Sequence, residues 1–401
     1  MGCPLDLSFY ANPPGRLEKG LREGGEYTYY VPPPVPRKIS YSDPLVEALA
    51  EAQAQLGSLT VLERILPNPT MLIMPYLRRE AVLSSRIEGT QASLTDVLEG
   101  EAASEDEIPP DTREVLNYIA ALRQGLTEIQ TRPLDLALLR ELHATLMSGV
   151  RGVDKQPGAF RTEQNWIGGS YGRDLGNATY VPPAPSRMGE CLQDFEAFLR
   201  TPPQMPPVLQ AALLHYQFEA IHPFLDGNGR IGRLMIILFL VQRRTLTAPY
   251  LYLSAYFERN RTNYYEALRR VSEVGAYEEW LLFFLEGVTT QAEDAVNRAH
   301  ALATLRSDFH RRLQEADATA TAFQMVDRLF VTPFITIPQA QSLFNIAFPT
   351  ARRAIEDYLE PVGVLVESTG KQRNRRWRSP AILKILEVET ATPPRETPME
   401  F

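Results

Sequence analysis

Twelve residues, HPFLDGNGRIGR at 222–233, gather the side chains of this 401-residue chain that are best suited to chemistry. His222 titrates near neutrality and can take a proton from a hydroxyl nucleophile. Asp226 is a hard carboxylate suited to a Mg²⁺ ion that bridges phosphates. Gly227, Asn228 and Gly229 offer backbone N–H groups at a helix start, where the dipole favours an anion, and Asn228 adds a side-chain donor. Arg230 and Arg233 share one face of that helix start, so both can reach phosphates. Base, metal ligand, anion nest and cationic clamp together point to phosphoryl or nucleotidyl transfer. The loop lacks the Gly-Lys-Ser/Thr ending of a Walker A sequence.

The elements around the loop must hold it still. An apolar run, LMIILFLV at 234–241, follows at once and has to be buried in a helix that ends near Arg243. VLQAALLHYQFEAI at 208–221 reads as the helix leading in, with His215 as a packing residue. Upstream, TREVLNYIAALRQGLTEI and LDLALLRELHATLM repeat apolar residues at helical spacing, and His143 reads as an ordinary helix histidine. The helical pattern lapses from Ser148 to Pro185. There Trp166-Ile167 and Thr179-Tyr180-Val181 read as two short strands joined by the Gly-rich SYGRDLGN, a β-hairpin or flap. Further helices are expected from Pro44 to about Ile65, Thr70 to Gly89, Ser186 to Arg200, within FERNRTNYYEALRRV, and from Tyr277 to about Ala316. Residues 1–42, rich in Pro, Gly and Tyr, read as extended coil.

The C-terminal segment has its own pattern. Helices are expected at 319–330, 337–345 and 348–362, then two strands around Gly370, which together make a winged helix-turn-helix. Lys371, Arg373, Arg375, Arg376 and Arg378 make the wing basic, and Arg352 and Arg353 add charge on the third helix.

Net charge is −8, so the surface as a whole is no electrostatic nucleic-acid binder. Two cysteines, Cys3 and Cys191, are too few for a disulfide framework or a zinc site and fit a reducing, cytoplasmic setting. The start, MGCPLDLSFY, reads as neither a signal peptide nor a myristoylation site, and no apolar run is long enough to span a membrane.

HPFLDGNGRIGR resembles the signature of the Fic family (filamentation induced by cAMP), with every signature position filled. GAFRTEQNWIGG and ATYVPP are similar to the family's flap region. The resemblance implies a mainly α fold: a Fic-type helical core with a β-hairpin flap at 111–300, an N-terminal helical segment at 1–110, a winged helix-turn-helix at 301–390 and a disordered tail at 391–401. It also implies a protein adenylyltransferase, which moves AMP from ATP to a Tyr, Thr or Ser hydroxyl of a target protein or of itself. His222 would be the base and Asp226 the Mg²⁺ ligand. Gly227, Asn228, Gly229 and Arg230 would hold phosphate oxygens, and Arg233 the γ-phosphate. Ile167, Gly168, Gly169 and Ser170 would cover the nucleotide, Tyr264 and Tyr265 wall the adenine, and Thr179, Tyr180 and Val181 align the target segment by strand addition. Gly229 stands where relatives that phosphorylate carry Lys, which favours AMP transfer.

SSRIEGT at 84–90 resembles the family's inhibitory helix, with Ser84, Glu88 and Gly89 at its pattern positions. Ser84 and Glu88 fall one turn apart on one helical face. The resemblance implies that Glu88 pairs with Arg233 and so blocks the γ-phosphate site. Other readings stay open: a nucleotide-sensing regulator that binds DNA through the winged helix, and a hydrolase that uses Glu88 to remove AMP. Family members often dimerise, which leaves a homodimer as a further expectation.

Overall fold

The computed structural model describes the chain apart from residues 1–9, 11, 23–24, 66–69, 102–104, 151–155, 169–174, 176–177, 203, 372, 374 and 388–401. Gly169, Ser170 and the tail at 391–401 therefore lie outside the described residues. The chain divides into two compact units, residues 1–56 with 80–289 and residues 57–79 with 290–401. Among the described residues no helix is long and apolar enough to cross a membrane.

The first unit opens with a difference from the sequence reading. Instead of coil, Arg16–Arg22 (β1) and Gly25–Val31 (β2) pair as an antiparallel hairpin. The reason is local: EYTYYV is rich in β-favouring aromatic and β-branched residues, and the prolines lie beyond it. After Asp43–Ile65 (α1) comes Thr70–Ile87 (α2), which contains Pro75. Gly89, at φ 99°, turns the chain away just past its end. Ser93 and Asp96 form a capping box on Leu94–Gly100 (α3).

Pro110–Glu128 (α4) and Leu136–Leu146 (α5) pack together and against Asn228–Gln242 (α8). Pro185–Arg200 (α6) packs on Pro207–Ile221 (α7), which in turn packs on α8. Almost every residue of α7 is buried, polar ones included, and α8 is buried nearly all round. Such helices show no amphipathic stripe because protein covers every face. Arg261–Val274 (α10) starts within FERNRTNYYEALRRV as expected, and Asn260 separates it from a short preceding helix, Ser254–Arg259 (α9). Tyr277–Glu315 (α11) follows.

In the second unit, Ala320–Leu329 (α12), Ile337–Phe344 (α13) and Phe348–Arg353 (α14) occupy the three expected helical stretches. The last of these continues as one π-helical segment, Ala354–Leu359. Phe334–Thr336 (β3), Val366–Glu367 (β4) and Arg376–Arg378 (β5) form an antiparallel sheet in the order β3-β5-β4, and Pro380–Glu387 (α15) closes the described chain. Arg352 and Arg375 both contact Glu356, at 2.8 and 2.7 Å, so part of the basic charge is compensated locally.

Candidate active site

The loop between α7 and α8 is shaped by strain and by its own side chains. His222 ends α7 in the left-handed region, φ 48° and ψ 61°, which is costly for a residue with a Cβ and is held only by strong surroundings. Those surroundings centre on Arg161, which is 2% exposed. Its Nε donates to the His222 carbonyl at 2.9 Å, and its Nη2 to Pro183 and Ile221 carbonyls at 2.5 and 3.4 Å. Its Nη1 reaches the Glu163 carbonyl at 3.2 Å. Asn165 Nδ2 donates to the carbonyls of His222 and Phe224. Asn228 closes the turn, its Oδ1 accepting from Phe224 N–H at 2.9 Å and its Nδ2 donating to Phe224 O at 2.8 Å. The Asn228 side chain thus sets the shape of the loop.

His143 braces the far side. Its Nδ1 accepts from Gly158 N–H at 2.9 Å, which leaves Nε2 to donate to the Asp226 carbonyl at 3.0 Å, and its ring stacks on Phe224 at 3.8 Å. Burial lowers its pKa to about 4, so this neutral tautomer persists at neutral pH.

A cavity of about 800 Å³ opens beside the loop, lined among others by His222, Glu219, Gly229, Arg233 and Glu88. Its other walls are the flap residues Ile167, Gly168, Thr179 and Tyr180, and Tyr264 and Tyr265 of α10. Burial, and then the Arg161 charge, lower His222 to about 4, so its ring is neutral and able to accept a proton. Gly227 caps α8 in the left-handed region at φ 75° and ψ 6°. Asp226, its side chain 49% exposed, accepts from Gly227 N–H at 2.6 Å. Arg230 is turned towards α4, with Nη1 3.3 Å from Glu114 and Nη2 3.7 Å from Asp226, and does not line the cavity.

Arg233 is 2% exposed and does line it. Its Nε donates to Ser84 Oγ at 2.9 Å, and its Nη2 to Ser84 O at 2.9 Å and Glu88 Oε1 at 2.7 Å. Burial pushes the Glu88 carboxyl up, but the Arg233 charge outweighs it and holds the group below the usual glutamate range. The same carboxylate lies against Gly229, where a Cβ would fall inside van der Waals contact of Glu88 Oε1.

At the flap, Ile167 and Tyr180 form an antiparallel bridge, and Thr179 Oγ1 donates to the Ile167 carbonyl. Tyr180 OH donates to Ala220 O at 2.8 Å, fixing the flap to α7. The Val181 carbonyl accepts from Tyr30 N–H of β2 at 2.9 Å, so this carbonyl is already taken by the same chain. Tyr264 is 1% exposed, with its OH 2.7 Å from His215 Nε2, whereas Tyr265 is 41% exposed with Arg261 over its ring.

Four site residues were not singled out from the sequence. Arg161, Asn165 and Tyr30 act through backbone carbonyls and N–H groups, which leave no trace in residue type. Glu219, three residues before His222 on a helix, shares its face, and that spacing was a usable signal.

Residues 46–127 match the family model described as "Fic/DOC family N-terminal", and residues 133–240 the one described as "Fic/DOC family". Proteins named "Protein adenylyltransferase Fic" from Drosophila ananassae and Drosophila grimshawi are 31% and 32% identical over 162 residues, 39% of this chain. The matched stretch spans only 30% and 31% of those relatives' length. The crystal structure of a Fic family protein from Desulfovibrio desulfuricans G20 superposes with a TM-score of 0.55 over 86% of this chain and 98% of that one, at 20% identity, a likeness of fold. Residues 46–240 thus carry the two consecutive segments of the Fic/DOC family, the N-terminal one and the one that holds the HPFLDGNGRIGR loop.

Proposed function

We propose that the protein is a self-inhibited protein adenylyltransferase that moves AMP from ATP to a hydroxyl side chain. One observation carries the reading: His222 and Arg233 line a single cavity, and Glu88 sits on the Arg233 guanidinium. The target oxygen attacks the α-phosphorus, the bond from that phosphorus to the bridging oxygen of the β-phosphate breaks, and pyrophosphate leaves. His222 Nε2 takes the hydroxyl proton. The α8 N-terminus and its backbone N–H groups stabilise charge on the phosphates.

Asp226 suits Mg²⁺ in this scheme. It is one half-exposed carboxylate, and among the described residues no group of three or more His, Cys, Asp or Glu could hold a metal alone. A Mg²⁺ ion bound there would complete its shell with nucleotide oxygens and water, as this ion commonly does, and would neutralise phosphate charge. Arg233, once released by Glu88, is the cation for the γ-phosphate. Since Tyr30 already holds Val181, a target segment adds at the opposite side of the flap.

Labelling with ATP tests this. Label from the α-phosphate but not the γ-phosphate should enter protein, and His222→Ala should end it. Label that enters from the γ-phosphate, or persists without His222, would refute the reading. A hydrolase that removes AMP is the second reading, because Glu88 lines the same cavity as His222. Release of AMP from a pre-modified target, lost on Glu88→Gly, would favour it.

A further inference from the structure

The cavity holds a second carboxylate that the transfer scheme does not use. Glu219, on the last turn of α7, lines the cavity beside His222, with Oε2 3.9 Å from His222 Nδ1. Glu219 Oε1 and His222 Nδ1 are both buried without a hydrogen-bond partner. Two unpartnered polar atoms this close together on the cavity wall, on side chains only 18% and 13% exposed, call for a purpose. The facing helix makes room for this carboxylate: a Cβ on Gly232 would lie 2.6 Å from Oε1. Any larger residue at 232 would push Glu219 out of the corner.

We propose that Glu219 is the positioning partner of His222, its carboxylate holding the ring Nδ1–H so that Nε2 faces the target hydroxyl. This deepens the adenylyltransferase reading and rests on it. A carboxylate behind a catalytic imidazole fixes the tautomer and stabilises the imidazolium that forms when Nε2 takes a proton. Without it, His222 must become a cation in surroundings that strongly disfavour one. The other group facing the ring from this side is the Glu219 backbone carbonyl, which orients the ring weakly and carries no charge.

The charge around Glu219 gives the arrangement a pH signature. Burial pushes its carboxyl up to about 8, while Arg233 on α8 pulls it down and Glu88, just past α2, pushes it up. Tyr264 and Tyr265 on α10 face it too, both with hydroxyls raised by burial and neutral in this range. His222 and His215 are neutral as well. The sign follows: below its pKa Glu219 is a neutral acid, and above it a carboxylate that accepts from Nδ1–H. Activity therefore rises with pH as Glu219 ionises. Removal of Glu88 takes away a like charge, so the rise moves to lower pH in the released enzyme.

The test uses the full chain carrying Glu88→Gly, with Glu219 intact or as Glu219→Gln, labelled from ATP between about pH 6 and 9.5. The intact form should show the alkaline rise. Glu219→Gln should lose it, with kcat down about tenfold at high pH and KM for ATP nearly unchanged, the size expected for a partner behind a functional histidine. Glu219→Asp should keep the rise at a lower rate. Superposable profiles for Glu219 and Glu219→Gln would overturn the inference while leaving the transferase reading intact. No label at any pH in the Glu88→Gly form would overturn both. If Glu219→Gln fails to fold, ¹⁵N signals of the His222 ring in the wild-type chain decide: an inflection near pH 8 supports the pair, and a flat trace overturns it.

Discussion

Glu88 Oε1 meets Arg233 Nη2 at 2.7 Å, across 145 residues of chain. Ser84, one turn before Glu88, takes the Arg233 Nε at 2.9 Å. Nε and Nη2 of the guanidinium are thus engaged by Ser84 of α2 and by Glu88 just past its end, and in the proposed scheme a γ-phosphate displaces Glu88 to reach them. The Glu88 side chain is 34% exposed, so water can help it leave, whereas Arg233 is 2% exposed and stays. In the proposed self-inhibited scheme the pair is a latch, and its movable half is the carboxylate.

Glu88→Gly should raise transfer of AMP by roughly five- to 150-fold, the range of ordinary coupling energies of about 1–3 kcal/mol. It should also lower the melting temperature in the absence of ATP, because Arg233 loses its counter-charge in a buried site. ATP should restore part of that loss. Equal label in wild type and variant would refute the latch.

Ser84→Ala should open the latch only partly. It removes a hydrogen bond to a charged group, worth about 1.5–3 kcal/mol, but leaves the ion pair. Transfer should rise less than in Glu88→Gly, and the double variant should match Glu88→Gly alone. A rise in Ser84→Ala equal to that of Glu88→Gly would show that the serine, not the charge, holds Arg233.

Arg161→Lys keeps a cation but loses the fork that grips the carbonyls of His222, Ile221 and Pro183. His222 should then relax from its left-handed backbone. In the Glu88→Gly background, kcat should fall about tenfold or more, with KM for ATP little changed, since Arg161 is not part of the cavity wall. A loss confined to KM would refute this role.

Acid should unfold the first unit through its buried histidines. His143, His215 and His222 are pushed by burial to about 4, 3 and 4. Between the ordinary histidine pKa of about 6.5 and these values the unfolded chain binds protons that the folded chain refuses, so stability falls as pH falls. Glu88, held low by Arg233, adds to the loss at the acid end. Glu219 and Glu80, raised by burial, bind protons in the folded chain over the same range and offset part of this fall; with three histidines against them, thermal melts should still show a lower melting temperature below about pH 6.5. A flat profile from pH 7 to 4.5, at about constant salt, would contradict it.

Much of the site was legible because its chemistry is local. HPFLDGNGRIGR places base, carboxylate, glycines and arginines within a few turns of one another, and the apolar run after it could only be a buried helix. One feature was misread for a local reason of a different kind: proline-rich flanks obscured the strand signal of EYTYYV.

By itself, the sequence determined which groups could act and that Ser84 and Glu88 share a helical face, because residue type and helical period are carried by neighbours. Only the tertiary structure decided the rest. It turned Arg230 to Glu114 and Arg233 to Glu88, although both stand at the start of one helix. It engaged the Val181 carbonyl with Tyr30 and held the His222 carbonyl with Arg161. It also set Glu219 and His222 side by side on the cavity wall, with Glu219 opposite Gly232. These relations depend on which helix packs on which and on where water is excluded, and both are properties of the folded chain as a whole.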